Sequence, residues 1–586
     1  MKYILILLLS TFFFKATYSQ KSANNPALAS FFKQYTEDSY KLFPLAATTT
    51  GDYRFNDLLP VTFTDSYNQK VRQFNMKYLK GIGKFDRNAL NANDKISYDI
   101  FKRNVEMAIE GLTYKTNRIP FNQFGGLHQS LAQLGSGTGA QPFKTVADYD
   151  NWIKRAKNFT VWSDSAIVYF RKGMAEHIVL PRSLVVKLIP QLEDLQKEDV
   201  TKSVYYGPVN NFPASFSDAD KLRLTEAYKS LINDYINPSY KKLATFIKEE
   251  YLARARTTSG IGSLPGGNKL YEYAIRSFTT TNKKPDELYN TGLAEVKRIR
   301  HEMEKVKEEV KFQGSLEKFF TYTKTDPSFL PYKTAEDVLA AYRAIQGKIE
   351  PYLHDLFGII PKTSFEIRQT ESFRAASAAA QYYSGLPDGS RPGIFYVPIV
   401  DPTKYTTAKE NLFIHEAIPG HHFQIMIQKE NKNLPRFRQD GGNSAYSEGW
   451  GLYCESLGKL LGCYKDPYQY FYALGDGMHR AIRLVVDVGL HAKGWSREKA
   501  IDYMRSNEAI TEQGATAEIE RYMANPAQAL SYKVGELKIK ELRDRYSKQL
   551  GNKFSLSAFH DEFLRDGNMP LNVLERKMDA WAARQK

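Results

Sequence analysis

Three histidines and a glutamate lie within eight residues of the chain, in the segment HEAIPGHH that runs from His415 to His422. Two imidazoles that bind zinc, with a glutamate beside the first that activates water, form the HExxH site of many metallopeptidases. We therefore interpret His415 as a zinc ligand and Glu416 as the general base.

The spacing departs from HExxH because a proline stands where the second histidine is expected. Pro419 has no amide hydrogen and clashes with the preceding turn, so a helix must kink or bulge there. If the Pro-Gly pair absorbs two extra residues, His421 reaches the position of the second ligand, whereas His422 would need three. The smaller distortion favours His421, and His422 is the alternative second ligand.

A second acidic segment, SAYSEGWGLYCE, offers the third ligand. Its two glutamates, Glu448 and Glu455, are seven residues apart and therefore share one face of a predicted helix. A carboxylate on an otherwise apolar helix is costly unless it is paired or bound to a metal. We assign Glu448 as the third ligand and Glu455 as the residue that orients a ligand histidine.

These candidates need helices to position them, and most of the chain has helical periodicity. The sequence predicts helices at 217–236, 286–310, 335–356, 440–461 and 497–505. The best strand is 393–400, in which Pro398 favours an edge or terminal position.

Glycine-rich or aperiodic stretches predict loops at 135–142, 200–220 and 257–268. The last loop is the strongest break. It divides the chain into an N-terminal helical half, 20–262, and a C-terminal helical half, 263–586, which carries the metal site. We expect the two halves to form one catalytic unit.

The first 19 residues have the pattern of a secretory signal peptide. Lys2 is followed by an apolar run too short to cross a bilayer, and small residues precede a cleavage site after Ser19. We expect an exported protein, periplasmic or secreted, with no membrane span after cleavage. The net charge of +16 is scattered along the chain, so no nucleic-acid partner is expected. Two cysteines exclude a disulfide scaffold.

The combined motifs resemble the bacterial DUF885 family. HEAIPGHHFQ, YSEGWGLYCE, SRPGIFYVP and the segments 485–504 and 520–539 carry the resemblance over most of the chain. The family is similar to zinc oligopeptidases and carboxypeptidases. The resemblance implies a mainly α, zincin-like peptidase fold with a central channel and a small edge sheet near the metal helix. Substrate would lie along that edge strand, at Gly393, Phe395 and Tyr396.

The same resemblance implies further site residues on the late helices. In the similar peptidases, tyrosine and histidine side chains stabilise the oxyanion of the reaction. The candidates here are His491 and Tyr532, with Tyr522 as a further one. Arg521 or Lys533 would suit a substrate carboxylate.

We thus predict an exported peptidase that binds one Zn²⁺ per chain and hydrolyses short peptides. A metal-dependent amidase or esterase with a non-peptide substrate would use the same residues. A non-catalytic peptide-binding protein is the alternative from another class, although it would have no use for a general base at Glu416.

Overall fold

Helices make up most of this chain in the computed structural model, which describes residues 24–371, 375 and 379–585. The predicted signal peptide, residues 1–19, lies outside the described residues. Within those that are described, no helix is both long enough and apolar enough to cross a membrane. The prediction of a mainly α protein is confirmed.

From residue 24 onwards, thirteen helices of seven residues or more precede the sheet: α1 Pro26–Leu42, α2 Asp65–Ile82, α3 Ala92–Gly111, α4 Leu127–Gly135, α5 Val146–Lys157, α6 Phe159–Ala175, α7 Arg182–Asp194, α8 Asp218–Ser230, α9 Asn237–Phe246, α10 Gly267–Thr279, α11 Pro285–Glu309, α12 Leu316–Thr325 and α13 Ala335–Ile349. Nine follow it: α14 Glu410–Glu416, α15 His421–Glu430, α16 Ser444–Glu455, α17 Pro467–Ala492, α18 Arg497–Asn507, α19 Glu512–Ala524, α20 Leu530–Leu550, α21 Leu556–Leu564 and α22 Leu571–Gln585.

The five predicted helical stretches all contain helices, but two are divided: 217–236 consists of α8 and a π-helix, and 335–356 consists of α13, a 3-10 turn and a four-residue helix. Helix α11 begins with proline at its first position, and Glu287 accepts a hydrogen bond from the backbone N–H of Lys284. Its apolar stripe is buried, as the helical periodicity requires. The helix predicted at 440–461 is shorter than expected at both ends, because α16 begins at Ser444 and ends at Glu455, after which the chain forms turns.

The small sheet has three strands, β1 Phe365–Gln369, β2 Gln381–Tyr383 and β3 Gly393–Val397, in the order β1-β3-β2. Strand β3 pairs parallel with β1 and antiparallel with β2. The prediction that β3 is an edge strand is therefore wrong, because both of its sides are filled. Proline 398 follows the last residue of the strand, which agrees with the terminal alternative.

One large buried core crosses the boundary predicted at 262/263. It joins side chains of α4–α9 with side chains of α11, α17 and α19. A second core surrounds the sheet, α14–α16 and α20–α22. Helix α17 contributes to both cores and so ties the N-terminal helices to the site described next.

Candidate metal centre

The helix of the HEAIPGHH motif is broken at its Pro-Gly pair. Helix α14 ends at Glu416 and α15 begins at His421. A Cβ atom on Gly420 would lie 2.0 Å from the carbonyl oxygen of His415 and 2.3 Å from that of Ile414. Only glycine fits this close passage of the backbone, and the passage brings the start of α15 back beside the end of α14.

Two histidines and a glutamate meet at this break. Nε2 of His415 lies 3.6 Å, and Nε2 of His421 3.5 Å, from Oε2 of Glu448 on α16. Two ligand atoms that each lie about 2.1 Å from a tetrahedral ion are about 3.4 Å apart, so these separations suit a shared zinc ion. Possible ligand atoms of the three residues all lie within 4.8 Å of one another.

His422, the alternative second ligand, is directed away from this group. Its Nδ1 atom lies 2.9 Å from the hydroxyl of Tyr382 on β2, and its ring packs against Phe365 on β1. Burial lowers the pKa of His422 to about 4, so the ring is neutral in this apolar setting. The structure thus gathers His421, and not His422, with His415.

Hydrogen bonds at the ring nitrogen that faces away from Glu448 fix the orientation of His415. Its Nδ1 atom lies 2.8 Å from Oε1 of Glu455, and because a carboxylate can only accept, Nδ1 is the donor. Asn411 in turn donates to Glu455 and to Asp476, at 3.3 and 2.6 Å. This arrangement leaves Nε2 of His415 facing Glu448, which is how carboxylates orient the histidine ligands of metal sites.

Helix α16 also holds the broken segment and the ring of His415. Trp450, which is fully buried, donates from Nε1 to the carbonyl oxygen of Pro419 at 2.9 Å. A Cβ on Gly451 would lie 2.7–2.9 Å from atoms of the His415 ring. The glycine in the SEGWG segment therefore lets the imidazole pack directly on the helix that supplies Glu448.

The electrostatics of the group favour a cation. Burial lowers the pKa of His415, but its contacts with Glu448 and Glu455 outweigh burial and raise the pKa to about 10. Burial likewise acts to raise the pKa of Glu448, yet the neighbouring His421 and His415 hold it well below its usual range. Two carboxylates that stabilise a positive charge at this point would also stabilise a divalent ion.

Glu416, the proposed general base, lies beside the same residues. Burial is the largest cause of a raised pKa for this carboxyl, opposed by the positive charges of His421, His415 and Arg480. A raised pKa suits a carboxylate that must take a proton and release it again near neutral pH.

Tyr532, on α20, is the other predicted catalytic residue that the structure places near the group. Burial raises the pKa of its phenol, and the negative charge of Glu448 raises it further. The guanidinium carbon of Arg483 lies 4.6 Å from the centre of the Tyr532 ring. The phenol therefore remains protonated at neutral pH and is able to donate a hydrogen bond.

His491 has a different setting. Its Nδ1 accepts from the backbone N–H of Ile261 at 3.1 Å, and its Nε2 donates to the carbonyl oxygen of Tyr522 at 3.1 Å. Burial lowers the pKa of His491 to about 3. Both ring nitrogens of His491 are occupied by backbone groups, so this histidine ties α17 to two neighbouring segments.

The two residues predicted to bind a substrate carboxylate already have partners. Lys533 is 1% exposed, and its Nζ lies 2.7 Å from Glu536 and 3.3 Å from Glu295. Arg521 donates to Glu518 and to the side chain of Gln528. These contacts hold helices together and leave Lys533 with no free surface for a ligand.

The three residues predicted on the substrate strand are also placed differently. Phe395 is fully buried between the rings of Tyr342 and Phe413, and a Cβ on Gly393 would lie 2.3 Å from the hydroxyl of Tyr382. Tyr396 pairs in register with both β1 and β2. Because β3 is interior, its backbone cannot receive a peptide as an added strand. Among the described strands, the outer positions belong to β1 and β2.

The sequence analysis did not identify four polar residues near the group. Asn411 lies on α14, and the other three, Asp476, Arg480 and Arg483, lie on α17. The signal was the spacing 476, 480, 483 on a helix that is otherwise mostly apolar, since residues three and four apart share a helix face. Burial of a charged face on such a helix calls for partners or a ligand.

Comparison with known proteins identifies the family but no activity. A family described as "Bacterial protein of unknown function (DUF885)" matches residues 44–578. The fold is similar to that of a candidate lipoprotein from Colwellia psychrerythraea, with a TM-score of 0.87 and 26% identity over 95% of this chain and 99% of that chain. A candidate lipoprotein of unknown function from Shewanella oneidensis shares the fold, with a TM-score of 0.74 and 20% identity over 94% and 99% of the two chains. No curated protein matches this chain significantly. The chain belongs to the bacterial DUF885 family.

Proposed function

We propose that this protein is a zinc-dependent hydrolase of peptide bonds, with one ion held by His415, His421 and Glu448. The observation that carries the proposal is the meeting of these three side chains at ligand spacing, across a helix break that only glycine permits. Two histidines and a carboxylate form the ligand set of catalytic zinc in several peptidases, with a further position left for water or substrate.

A zinc ion at this site would polarise a carbonyl oxygen and make a water molecule more acidic. The residues of the chain would do the rest. Glu416 would take a proton from the attacking water and deliver it to the leaving amine. The phenol of Tyr532 would donate a hydrogen bond to the oxygen that becomes negative as the carbonyl is attacked. Glu455 would keep the ring of His415 in position throughout.

Two further features form part of the proposal. We infer that the helices enclose a substrate channel, as in the zincin-like peptidases that the sequence resembles. We also infer export to the periplasm or beyond. The N-terminal signal pattern supports export, and so do the two similar structures, each described as a candidate lipoprotein.

The decisive variant is Glu416→Gln, which keeps size and removes the base. We expect the zinc-loaded wild type to cleave members of a short-peptide library, detected by mass spectrometry. Glu416→Gln should keep its zinc and lose activity by a factor of at least about 10². Equal cleavage by the variant would contradict the mechanism. Cleavage of simple esters or amides but of no peptide would favour the amidase or esterase alternative.

A further inference from the structure

Two arginines on the site-facing side of α17 have hydrogen-bond donors that nothing in the described structure uses. The guanidinium group of Arg480 makes no hydrogen bond or ion pair with any described residue, and its Nε atom is buried. Arg483 is only 6% exposed, and its Nη1 atom is buried without a partner. Because a buried unpaired N–H of a charged group is costly, such donors indicate a missing partner.

Both arginines lie beside the proposed metal ligands. The positive charge of Arg480 acts on Glu416 and on Tyr532, where it partly offsets the rise in pKa that burial causes in each. Arg483 stacks over the ring of Tyr532, and Tyr532 is itself affected by the charge of Glu448. Arg483 therefore packs against Tyr532 on α20, and Arg480, on the same helix α17, lies close enough for its charge to act on Glu416 and Tyr532.

The acidic groups around them leave these donors unused. Glu518 accepts from Arg483 at 3.3 Å and from Arg521 at 2.8 Å, so one carboxylate serves two guanidinium groups. Glu508 is engaged by His479, whose Nδ1 lies 2.9 Å from it. The nearby acid on α17 itself, Asp476, accepts from Asn411. None of these three acids accepts a hydrogen bond from Arg480 or from Nη1 of Arg483.

A carboxylate is the ligand that matches these donors. Guanidinium groups bind carboxylates through paired, charge-assisted hydrogen bonds, and they do so most strongly where water is excluded. Arg480 is only partly buried and can receive such a ligand, and Arg483 adds a second positive charge on the same helix.

We propose that Arg480 and Arg483 form a carboxylate-binding subsite next to the metal group, so that the substrates are peptides that present a free carboxylate to α17. This inference rests on the proposed function, because the ligand that carries the carboxylate is a substrate only if the protein is a peptidase. The binding of a carboxylate is a separate event that can be measured without turnover. A C-terminal carboxylate would make the enzyme cut near the C-terminal end of peptides, whereas an acidic side chain would make it selective for residue type.

The test compares three peptides on zinc-loaded Glu416→Gln protein, by isothermal titration calorimetry. The probes are N-acetyl-Ala-Ala-Ala, its C-terminal amide, and N-acetyl-Ala-Glu-Ala amide. We expect the free acid to bind about ten- to a hundredfold more tightly than the plain amide. Tight binding of the third probe instead would identify the source of the carboxylate as a side chain.

The arginine variants then locate the effect. When Arg480→Gln is combined with Glu416→Gln, most of the preference for the free acid over the amide should be lost. Arg480→Lys in the same combination should keep part of that preference. Arg171→Gln, which removes a surface pair with Glu250 and a contact with the ring of Phe246, is the matched control and should leave the preference unchanged. Melting temperature and zinc content show that each variant is folded and loaded.

Three outcomes would overturn the inference. The first is equal binding of all three probes, and the second is no binding of any probe at millimolar concentration. The third is a preference for the free acid that persists in Arg480→Gln, which would show that the metal and not the arginines binds the carboxylate. The two proposals fail separately. Hydrolysis without a preference for the carboxylate would support the peptidase and contradict the subsite. A preference for the carboxylate without hydrolysis would support the subsite and contradict the peptidase.

Discussion

Nδ1 of His415 donates to Oε1 of Glu455 across 2.8 Å, from the last turn of α14 to the last residue of α16. Glu448 lies seven residues earlier on the same face of α16, and its Oε2 atom is 3.6 Å from Nε2, the other nitrogen of the His415 ring. One helix thus supplies a ligand candidate on one side of His415 and its orienting carboxylate on the other. The seven-residue spacing of the two glutamates is what makes this possible.

Removal of that orienting carboxylate should weaken metal binding without abolishing it. Glu455→Ala leaves Nδ1 of His415 without an acceptor, and the ring is then free to turn. We expect zinc affinity, measured by competition with a chelator, to fall about 10- to 100-fold. Glu455→Gln keeps an acceptor oxygen and should lose less. Unchanged affinity in Glu455→Ala would show that the contact does not support the metal site.

The helix break should tolerate no side chain at Gly420. The Cβ of Gly420→Ala would collide with the backbone oxygen of His415, so the break must open and separate the two histidines. We expect a loss of unfolding free energy of at least about 3 kcal/mol, together with loss of zinc.

A glycine in an open position of α13 provides the matched control. Gly347 has nothing within 4 Å of where a Cβ would be. Gly347→Ala should therefore stabilise the protein by about 0.5–1 kcal/mol through helix propensity. Urea unfolding of both variants checks the pair, and similar effects of the two substitutions would refute the structural reason given for Gly420.

The role of Tyr532 is separable from its packing. Tyr532→Phe removes only the hydroxyl, so we expect kcat to fall about 10²- to 10³-fold with little change in KM, as when other oxyanion donors are removed. Tyr546→Phe on the same helix is the control, because its hydroxyl donates to Asp579 and not to the site. A loss of kcat that is equal in the two variants would assign the effect to α20 and not to the phenol.

The buried Lys533 cluster should govern acid stability and not substrate binding. Burial acts to raise the pKa of Glu536, but Lys533 and Lys540 lower it from 4.5 to about 2. A depressed carboxyl pKa adds stability above pH 4.5, and that stability is lost as the pH falls towards 2. We therefore expect the urea midpoint to drop between about pH 5 and pH 2.

The variant Lys533→Met tests this assignment. It leaves Glu536 and Glu295 with one fewer partner, so we expect its free energy of unfolding to fall by about 3–5 kcal/mol at neutral pH. That free energy should also depend less on pH in the acid range. Its KM for peptides should match that of the wild type at a temperature where both are folded. A raised KM with normal stability would restore the role in substrate binding predicted from the sequence.

The helices and the core of the site could be read from the sequence because their signals are local. Helical periodicity placed α11, and the seven-residue spacing placed Glu448 and Glu455 on one face of α16. The choice of His421 over His422 also followed from local geometry, since a Pro-Gly break has to absorb a definite number of residues.

What the sequence could not give depends on contacts between distant segments. Pro398 suggested an edge position for β3, and nothing in 393–397 reveals that β1 and β2 pair with its two sides. His491 looked like a catalytic histidine because its backbone partners, at 261 and 522, come from two other parts of the chain. Arg480 and Arg483 were overlooked because a basic residue on a long helix is usually solvated, and only the packing of α17 shows otherwise.

The most direct test of the metal site is its zinc content in two neighbouring histidine variants, measured by mass spectrometry on untagged protein. The account predicts about one zinc per chain in the wild type, loss of that zinc in His421→Ala, and its retention in His422→Ala. The two histidines are adjacent in sequence, so the comparison isolates the geometry of the break. A wild type that holds no zinc after the metal is supplied, or a loss in His422→Ala and not in His421→Ala, would contradict the account.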